Sequence, residues 1–477
     1  MKHVLNHDFA PEFYFEKICE YPHGSYHEKP LSDYLTEFAK EHGLRYRQYE
    51  NWNVIIYKDA SAGYEDHEPL ILQGHIDMVC EKDQDCDHDF LKDPLDLYVE
   101  DGFLKAKGTT LGADDGVAVA YMLAILADDK IPHPPLECVF TTQEEVGCVG
   151  AFGIDFSDLK SKRMLSLDGL GGTTCDVSSA GSWHQVLNRK ITKENRNSSF
   201  YKIKIDGLKG GHSGSMIDKE RANSIKLMAR ILCELNKKEK IRLAHISGGD
   251  KDNAIPVYCE ALFCSDAEEA ELEKIVKKMS DIIHHEYMYS DEGITVSFEK
   301  SEKESVLSEG DSNDLIAFLM VLPNGLRHKS MVIDDLTTAS QNLASIRMDD
   351  EQITIRYFAR AQLRSHLEEQ AEEITLLAMR FGFLSTLGDY APSWEYQKDS
   401  KIRELLFKVY NDITGKQLTP IATHGGLETG YFCTGIPGID IATYGPLVLD
   451  YHTSREALDL DSFREAYSVV LELLRRA

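Results

Sequence analysis

The chain has no apolar run approaching the roughly 20 residues that span a bilayer, and its first eight residues carry no hydrophobic signal core. Basic charge is scarce: 52 Lys and Arg stand against 80 Asp and Glu, for a net charge of −28. Such a surface repels phosphate backbones and anionic lipid, so neither nucleic acid nor a membrane is expected as a partner. The acidity itself reads as a solvated exterior. The ten cysteines show no CxxC motif and no paired spacing. Reduced, buried thiols and a cytoplasmic location are therefore expected, with Cys80, five residues after His75, placed in the core. Low-complexity tracts and 20-to-50-residue repeats are absent, which excludes a solenoid.

What is present suits an enzyme. A length of 477 residues exceeds a single-core domain, and 42% hydrophobic content fills sizeable cores. Pro69 to Gln73, with Leu70, Ile71 and Leu72, is a short apolar run leading to Gly74-His75-Ile76-Asp77, the pattern of a buried strand with His75 and Asp77 at its end. On extended backbone, residues two apart share a face. Val139-Phe140-Thr141-Thr142 reads as a second strand, followed by Glu144 and Glu145, and Leu165-Ser166-Leu167-Asp168 as a third ending in an aspartate. Between them lies Gly112-Ala113-Asp114-Asp115-Gly116, opening a helix from Gly116 to Asp128. Open α/β sheets bind ligands beyond the carboxyl ends of their strands. A lone His-x-Asp or Glu-Glu is usually a solvated pair, but three such clusters at strand ends, with a late His452, point to a two-metal hydrolase.

Three other sequences do not survive scrutiny. Asp83-x-Asp85-x-Asp87-x-Asp89 starts like a calcium loop, yet position six is His88 and position twelve Pro94. Gly211-His212-Ser213-Gly214 fails as a nucleophile elbow because Ser215 stands where glycine is needed. Gly169-x-Gly171-Gly172 lacks the spacing of a dinucleotide fingerprint.

The composition shifts near Trp183, through a polar stretch from Thr192 to Ser199 into the alternating strand Tyr201 to Ile205. Helices are expected over 222–235, 268–288, 315–322 and 368–381, and a strand over 353–358. The expected domains are 1–183 and 394–477 for an α/β catalytic domain, with 184–393 inserted as an α+β domain.

The runs Gly74 to Lys82, His88 to Pro94 and Gly108 to Gly116 resemble the M20-type aminoacyl-histidine dipeptidases, also called Xaa-His dipeptidases or bacterial carnosinases. The likeness continues through Gly207 to Gly214, Arg221-Ala222-Asn223, Gly248 to Pro256 and His424 to Glu428, covering essentially the whole chain. The resemblance implies a zinc-peptidase-like domain with a mixed central sheet flanked by helices, plus an inserted lid and dimerisation domain.

It further implies two divalent ions per subunit, zinc first, with Co²⁺ or Mn²⁺ as alternatives that the same N and O ligands suit. By that resemblance His75 and Asp168 hold one ion, Glu145 and His452 the other, and Asp114 bridges them. Glu144 is then the general base, and Asp77 accepts a hydrogen bond from the His75 ring. His212 would stabilise the oxyanion, in the active site of its own or a partner subunit of a homodimer. Asn253 and Arg364 would engage the substrate and its carboxylate, and the loop 423–428, with Gly426, would shape the pocket. One departure is evident: Gly169-Leu170-Gly171-Gly172 follows Asp168 where many members carry acidic residues. The expected activity is hydrolysis of Xaa-His dipeptides. The alternatives are a related tripeptidase or N-acyl amino acid hydrolase, and a silent peptide-binding protein on the same fold.

Overall fold

The computed structural model describes residues 3–333 and 335–477. The chain divides into two compact units, one formed by Met1–Ser179, Tyr396–Ala422 and Leu427–Ala477, the other by Ala180–Glu395 with Thr423–Gly426.

The first unit is built on a six-stranded sheet in the order Arg45–Gln48, Val54–Lys58, Leu136–Thr141, Leu70–His75, Arg163–Ser166, Asp440–Thr443. The last four strands run parallel, and Val54–Lys58 pairs antiparallel with both Arg45–Gln48 and Leu136–Thr141, so the sheet is mixed. Every residue of Leu70–His75 and Leu136–Thr141 is buried. This explains their continuous apolar runs: a strand covered on both faces has no solvent side on which to alternate. Because the four strands are parallel, His75, the Glu144-Glu145 pair and Asp168 all emerge at one edge.

Helix Ala113–Ala127 is buried from Ala113 to Leu126, as a helix apolar all round must be. Its carboxyl end is closed by the Lys58 ammonium, which donates to the carbonyls of Ile125, Leu126 and Asp128 at 3.0 to 3.1 Å, where cations favour the helix dipole. The final helix, Leu460–Arg476, locks onto it: Phe463 stacks on Tyr121 with ring centroids 4.8 Å apart, and the Tyr121 hydroxyl donates to the Phe463 carbonyl at 2.6 Å.

The second unit is α+β. Its antiparallel sheet follows the order Thr295–Lys300, Ser199–Asp206, Cys259–Ser265, Arg242–Gly248, Thr337–Met348, Gln352–Ala361, Gly181–Lys190, Leu384–Ala391, with Gly325–Lys329 added beside Thr337–Met348. Helices Ser224–Glu239, Glu269–Glu286 and Glu309–Val321 contribute Ile225, Met228, Leu272, Leu315 and Phe318 to its core. Strand Gly181–Lys190 was not expected; its polar residues lie on a half-buried surface. Two helices begin earlier than their apolar patterns suggest. Glu309–Val321 starts at a Ser308 cap whose hydroxyl accepts the Asp311 N–H at 3.0 Å, and Arg364–Arg380 starts at Arg364. Cys80 is exposed, contrary to expectation, because it follows the buried strand on the loop leading away from it. No helix among the described residues is long and apolar enough to cross a membrane.

Candidate metal centre and active site

Strand Leu70–His75 delivers a buried imidazole to the sheet edge. His75 Nε2 lies 3.1 Å from Asp114 Oδ1, and His452 Nε2 lies 3.1 Å from Asp114 Oδ2. Each oxygen of one carboxylate thus meets one imidazole. His452 Nε2 also stands 2.9 Å from Glu145 Oε1. The ligand atoms of His75, Asp114 and Glu145 lie within 4.8 Å of one another, as do those of His75, Asp115 and Asp168. All five expected ligands therefore gather in the first unit, and Asp115 joins them.

Local backbone chemistry places these groups. Gly112, at φ +70°, turns the chain into the helix, and Asp114 and Asp115 depart from helical geometry across a cis peptide. The buried Glu456 carboxylate accepts the N–H groups of Leu111, Gly112, Ala113 and Asp114 at 2.8 to 3.3 Å. It thereby satisfies donors that a helix start leaves unpaired. Gly74 admits the Asp115 carboxylate: a Cβ there would lie 2.4 Å from Asp115 Oδ2 and 2.3 Å from the Ala118 Cβ. His452 itself sits at φ +61°, a left-handed conformation uncommon outside glycine and concentrated at functional sites.

Asp77 lies just past the strand. Its Oδ1 accepts the Glu144 N–H at 3.0 Å, and its Oδ2 accepts the Glu145 N–H at 3.3 Å and the Ser25 hydroxyl at 2.8 Å. His75 Nδ1 is 3.0 Å from the Asp77 main-chain oxygen and 3.5 Å from its carboxylate. The ring is therefore held chiefly by the backbone carbonyl. The Glu144 loop is held from below as well, since Glu28 accepts the Gln143 N–H at 3.1 Å.

The electrostatics follow from crowding. Burial raises the Glu144 carboxyl to about 7, reinforced by Glu145, Asp114 and Asp77. Burial, then Asp115 and Asp114, push Asp168 well above the carboxylate range. Burial works against charge on His452, yet Asp114 and Glu145 lift it to about 10. Burial would raise Asp114 too, but the two imidazoles hold it low. Glu428 is buried, receives the Gln73 amide at 2.7 Å and the Thr141 hydroxyl at 2.5 Å, and is raised by burial and Glu144 to about 8. So many buried carboxyls around two imidazoles form an anionic nest. Asp115 Oδ2 is buried with no hydrogen-bond donor. This donor set fits divalent cations of the zinc type, with Asp114 able to face one ion through each oxygen.

The second unit carries a separate cluster. His212, on the short strand Gly211–His212, accepts the Gly214 and Ser215 N–H groups at Nδ1 at 3.3 and 3.4 Å, and its Nε2 lies 3.3 Å from Arg360 Nη2. Burial and Arg360 lower its pKa, keeping the ring neutral. Arg360 is only 6% exposed and rests over the Phe358 ring at 4.5 Å. Among the described residues no carboxylate pairs with it. His424 accompanies it, with Nε2 2.7 Å from the Ser340 hydroxyl. Arg364 does not join this group: it is exposed and its Nε donates to Glu368 at 2.9 Å. Asn253 is exposed and contributes its main-chain carbonyl, which accepts the Ser213 N–H at 2.8 Å. Gly426 is exposed near the Ala180 carbonyl.

Residues 71–476 match the model of peptidase family M20/M25/M40. The chain belongs to this family. It is 31% identical over 465 residues to the cytosol non-specific dipeptidase of Escherichia coli, covering 97% of this chain and 96% of that one. The crystal structure of aminoacylhistidine dipeptidase from Vibrio alginolyticus superposes with a TM-score of 0.90 at 30% identity, covering 98% and 96% of the two chains. An aminopeptidase PepT structure from Bacillus cereus matches at a TM-score of 0.56 and 14% identity over 99% of each chain, a likeness of fold. As an M20 peptidase the chain is a peptide hydrolase of a metal-dependent family, and the His75, Asp114, Glu145, Asp168 and His452 cluster lies inside the matched region.

Proposed function

We propose that this M20 peptidase is a dinuclear metal-dependent dipeptidase. The carrying observation is the Asp114 carboxylate, with one imidazole at each oxygen and Glu145 beside the second. In this reading His75 and Asp168 would hold one divalent ion, His452 and Glu145 would hold the other, and Asp114 would serve both, with Asp115 beside the first group. When bound, such ions polarise a peptide carbonyl and lower the pKa of water toward neutrality. Zinc is the proposed metal.

Glu144 then acts through its carboxylate oxygen, taking a proton from the attacking water and returning one to the departing amine. Raised by burial to about 7 before cations are added, it belongs to the range in which a carboxyl exchanges protons near neutral pH. Arg360 of the second unit is proposed to bind the free C-terminal carboxylate of the substrate. Arg360 is buried, cationic and without a carboxylate of its own, and an arginine fork fits that group. A neutral His212, positioned by the Gly214 and Ser215 amides, is proposed to donate to the developing oxyanion.

Substrates of the Xaa-His type, such as β-alanyl-histidine, are proposed on the strength of the Vibrio relative, while the name of the Escherichia coli relative favours a broader dipeptide range. A panel of Xaa-His and other dipeptides, tripeptides and N-acyl amino acids tests this directly. Turnover confined to dipeptides supports the proposal. Preference for tripeptides or N-acyl substrates replaces it with those activities, and no turnover in the metal-loaded protein leaves a binding protein. We further propose a cytoplasmic homodimer in which His212 serves the partner's site. Mixing a His212→Ala subunit with a Glu144→Gln subunit then restores activity that neither has alone; no recovery from demonstrated heterodimers refutes action across the dimer.

A further inference from the structure

A second histidine cluster lies wholly within the second unit, apart from the residues assigned to catalysis. His328, on strand Gly325–Lys329, stacks on His366 in the first turn of helix Arg364–Arg380, with ring centroids 4.5 Å apart and planes 22° apart. Glu369 follows His366 by three residues, so both side chains share one helix face. The ligand atoms of His328, His366 and Glu369 lie within 4.8 Å of one another. The strand register shifts on both sides of His328, an irregularity of the kind that re-aims a side chain.

Two observations separate this cluster from an ordinary polar surface. His366 Nδ1 is out of contact with solvent and has no hydrogen-bond partner, so one nitrogen is left wanting a ligand. The neighbouring cations are already occupied: Arg327 Nη2 lies 2.9 Å from Glu373, and Lys329 Nζ lies 4.0 Å from Asp335. The Glu369 carboxylate is therefore left to the histidines.

We infer that His328, His366 and Glu369 form a third metal site, one that takes a late first-row divalent cation and ties the Gly325–Lys329 strand to the Arg364–Arg380 helix. Two imidazoles and one carboxylate favour zinc, nickel or copper over the all-oxygen preference of calcium and magnesium. Bonds of about 2.0 to 2.2 Å place ligand atoms roughly 3.3 to 4.4 Å apart, so the two imidazoles turn out of their stack to close the cluster on an ion. Solvent completes the coordination on the exposed side of His328. The strand gains most from such a tie, because among the described residues its only sheet partner is Thr337–Met348.

The test is a calorimetric titration of Zn²⁺ into enzyme whose catalytic ions are already loaded, with total metal counted by mass spectrometry. One additional ion per chain is expected, with affinity reduced at least tenfold in His328→Ala and in His366→Ala and by less in Glu369→Gln. Hydrogen exchange of residues 325–329 should slow with excess zinc in the parent and not in His328→Ala. His7→Ala, in the separate cluster with His3 and Glu16, should leave the titration unchanged. His328 is exposed, so its variant remains decisive if His366→Ala folds poorly. No additional ion in the parent, a titration unaffected by His328→Ala, or loss of the ion in His7→Ala overturns the inference.

Discussion

Asp77 and Glu144 are joined through the backbone: the Glu144 N–H donates to Asp77 Oδ1 at 3.0 Å. The other Asp77 oxygen takes the Glu145 N–H, and its main-chain carbonyl faces His75 Nδ1. One residue therefore orients the proposed base, a proposed ligand of one ion and a proposed ligand of the other. With Nδ1 protonated against that carbonyl, His75 Nε2 keeps its lone pair free for a metal.

Asp77→Asn tests this junction. The amide keeps the size but turns one acceptor into a donor facing main-chain N–H groups. Turnover should fall about 10- to 100-fold with a parallel loss of metal affinity, measured by steady-state kinetics and metal titration. Asparagine kinetics within twofold of the parent would show that Asp77 does not position the loop.

The bridging assignment predicts unequal metal losses. Asp114→Ala removes a ligand from both ions, whereas His452→Ala strips only one. Metal analysis after dialysis should find Asp114→Ala depleted of both ions and His452→Ala retaining close to one per chain. Equal full occupancy in the two variants contradicts the arrangement.

Arg360 and Arg364 are separated by the same logic. Arg360→Met should raise KM for dipeptides by roughly 10- to 150-fold, the loss of a charged hydrogen-bond pair worth about 1.5 to 3 kcal/mol. Its effect on C-terminally amidated analogues should be small. Arg364→Ala should leave KM within twofold, since its partner is Glu368 on the same helix. Equal loss on free and amidated substrates would remove Arg360 from carboxylate recognition.

His424 makes stability depend on pH in a defined direction. Burial, then Arg360, depress its pKa to about 3 from an ordinary 6.5. Between those values the unfolded chain binds a proton that the folded chain refuses, so stability falls as pH drops through that window. His424→Gln abolishes this contribution. Denaturant unfolding at a series of pH values should show the parent's acid-side slope exceeding the variant's by at most about 1.4 kcal/mol per pH unit. Identical slopes would mean that His424 titrates normally.

The candidate cluster was legible because its histidines and carboxylates follow strands or open a helix: apolar runs locate Leu70–His75 and Leu136–Thr141, and parallel pairing brings their ends together. Glu456 was not, since its four donors lie more than 340 residues earlier in the chain. Asp115 was hidden by its neighbour: a second acidic residue at a helix start reads as a favourable dipole charge, and only the close approach through Gly74 brings it beside His75 and Asp168. Arg360 was concealed by its strand. It lies beyond the strand expected over 353–358, yet the observed strand runs on to Ala361 and its last five residues are all buried. Arg364 entered through the family resemblance alone, and the helix expected from 368 begins at Arg364 itself, where Glu368 one turn on takes its guanidinium.

The most direct measurement is turnover and metal content of Glu144→Gln on one dipeptide. The amide keeps the size and polarity of the side chain and removes the proton acceptor. Turnover should fall by roughly 10² to 10⁴ while the protein retains the parent's complement of metal. A variant that keeps more than half the parent's turnover with its metals bound would contradict the assignment of Glu144 as the base.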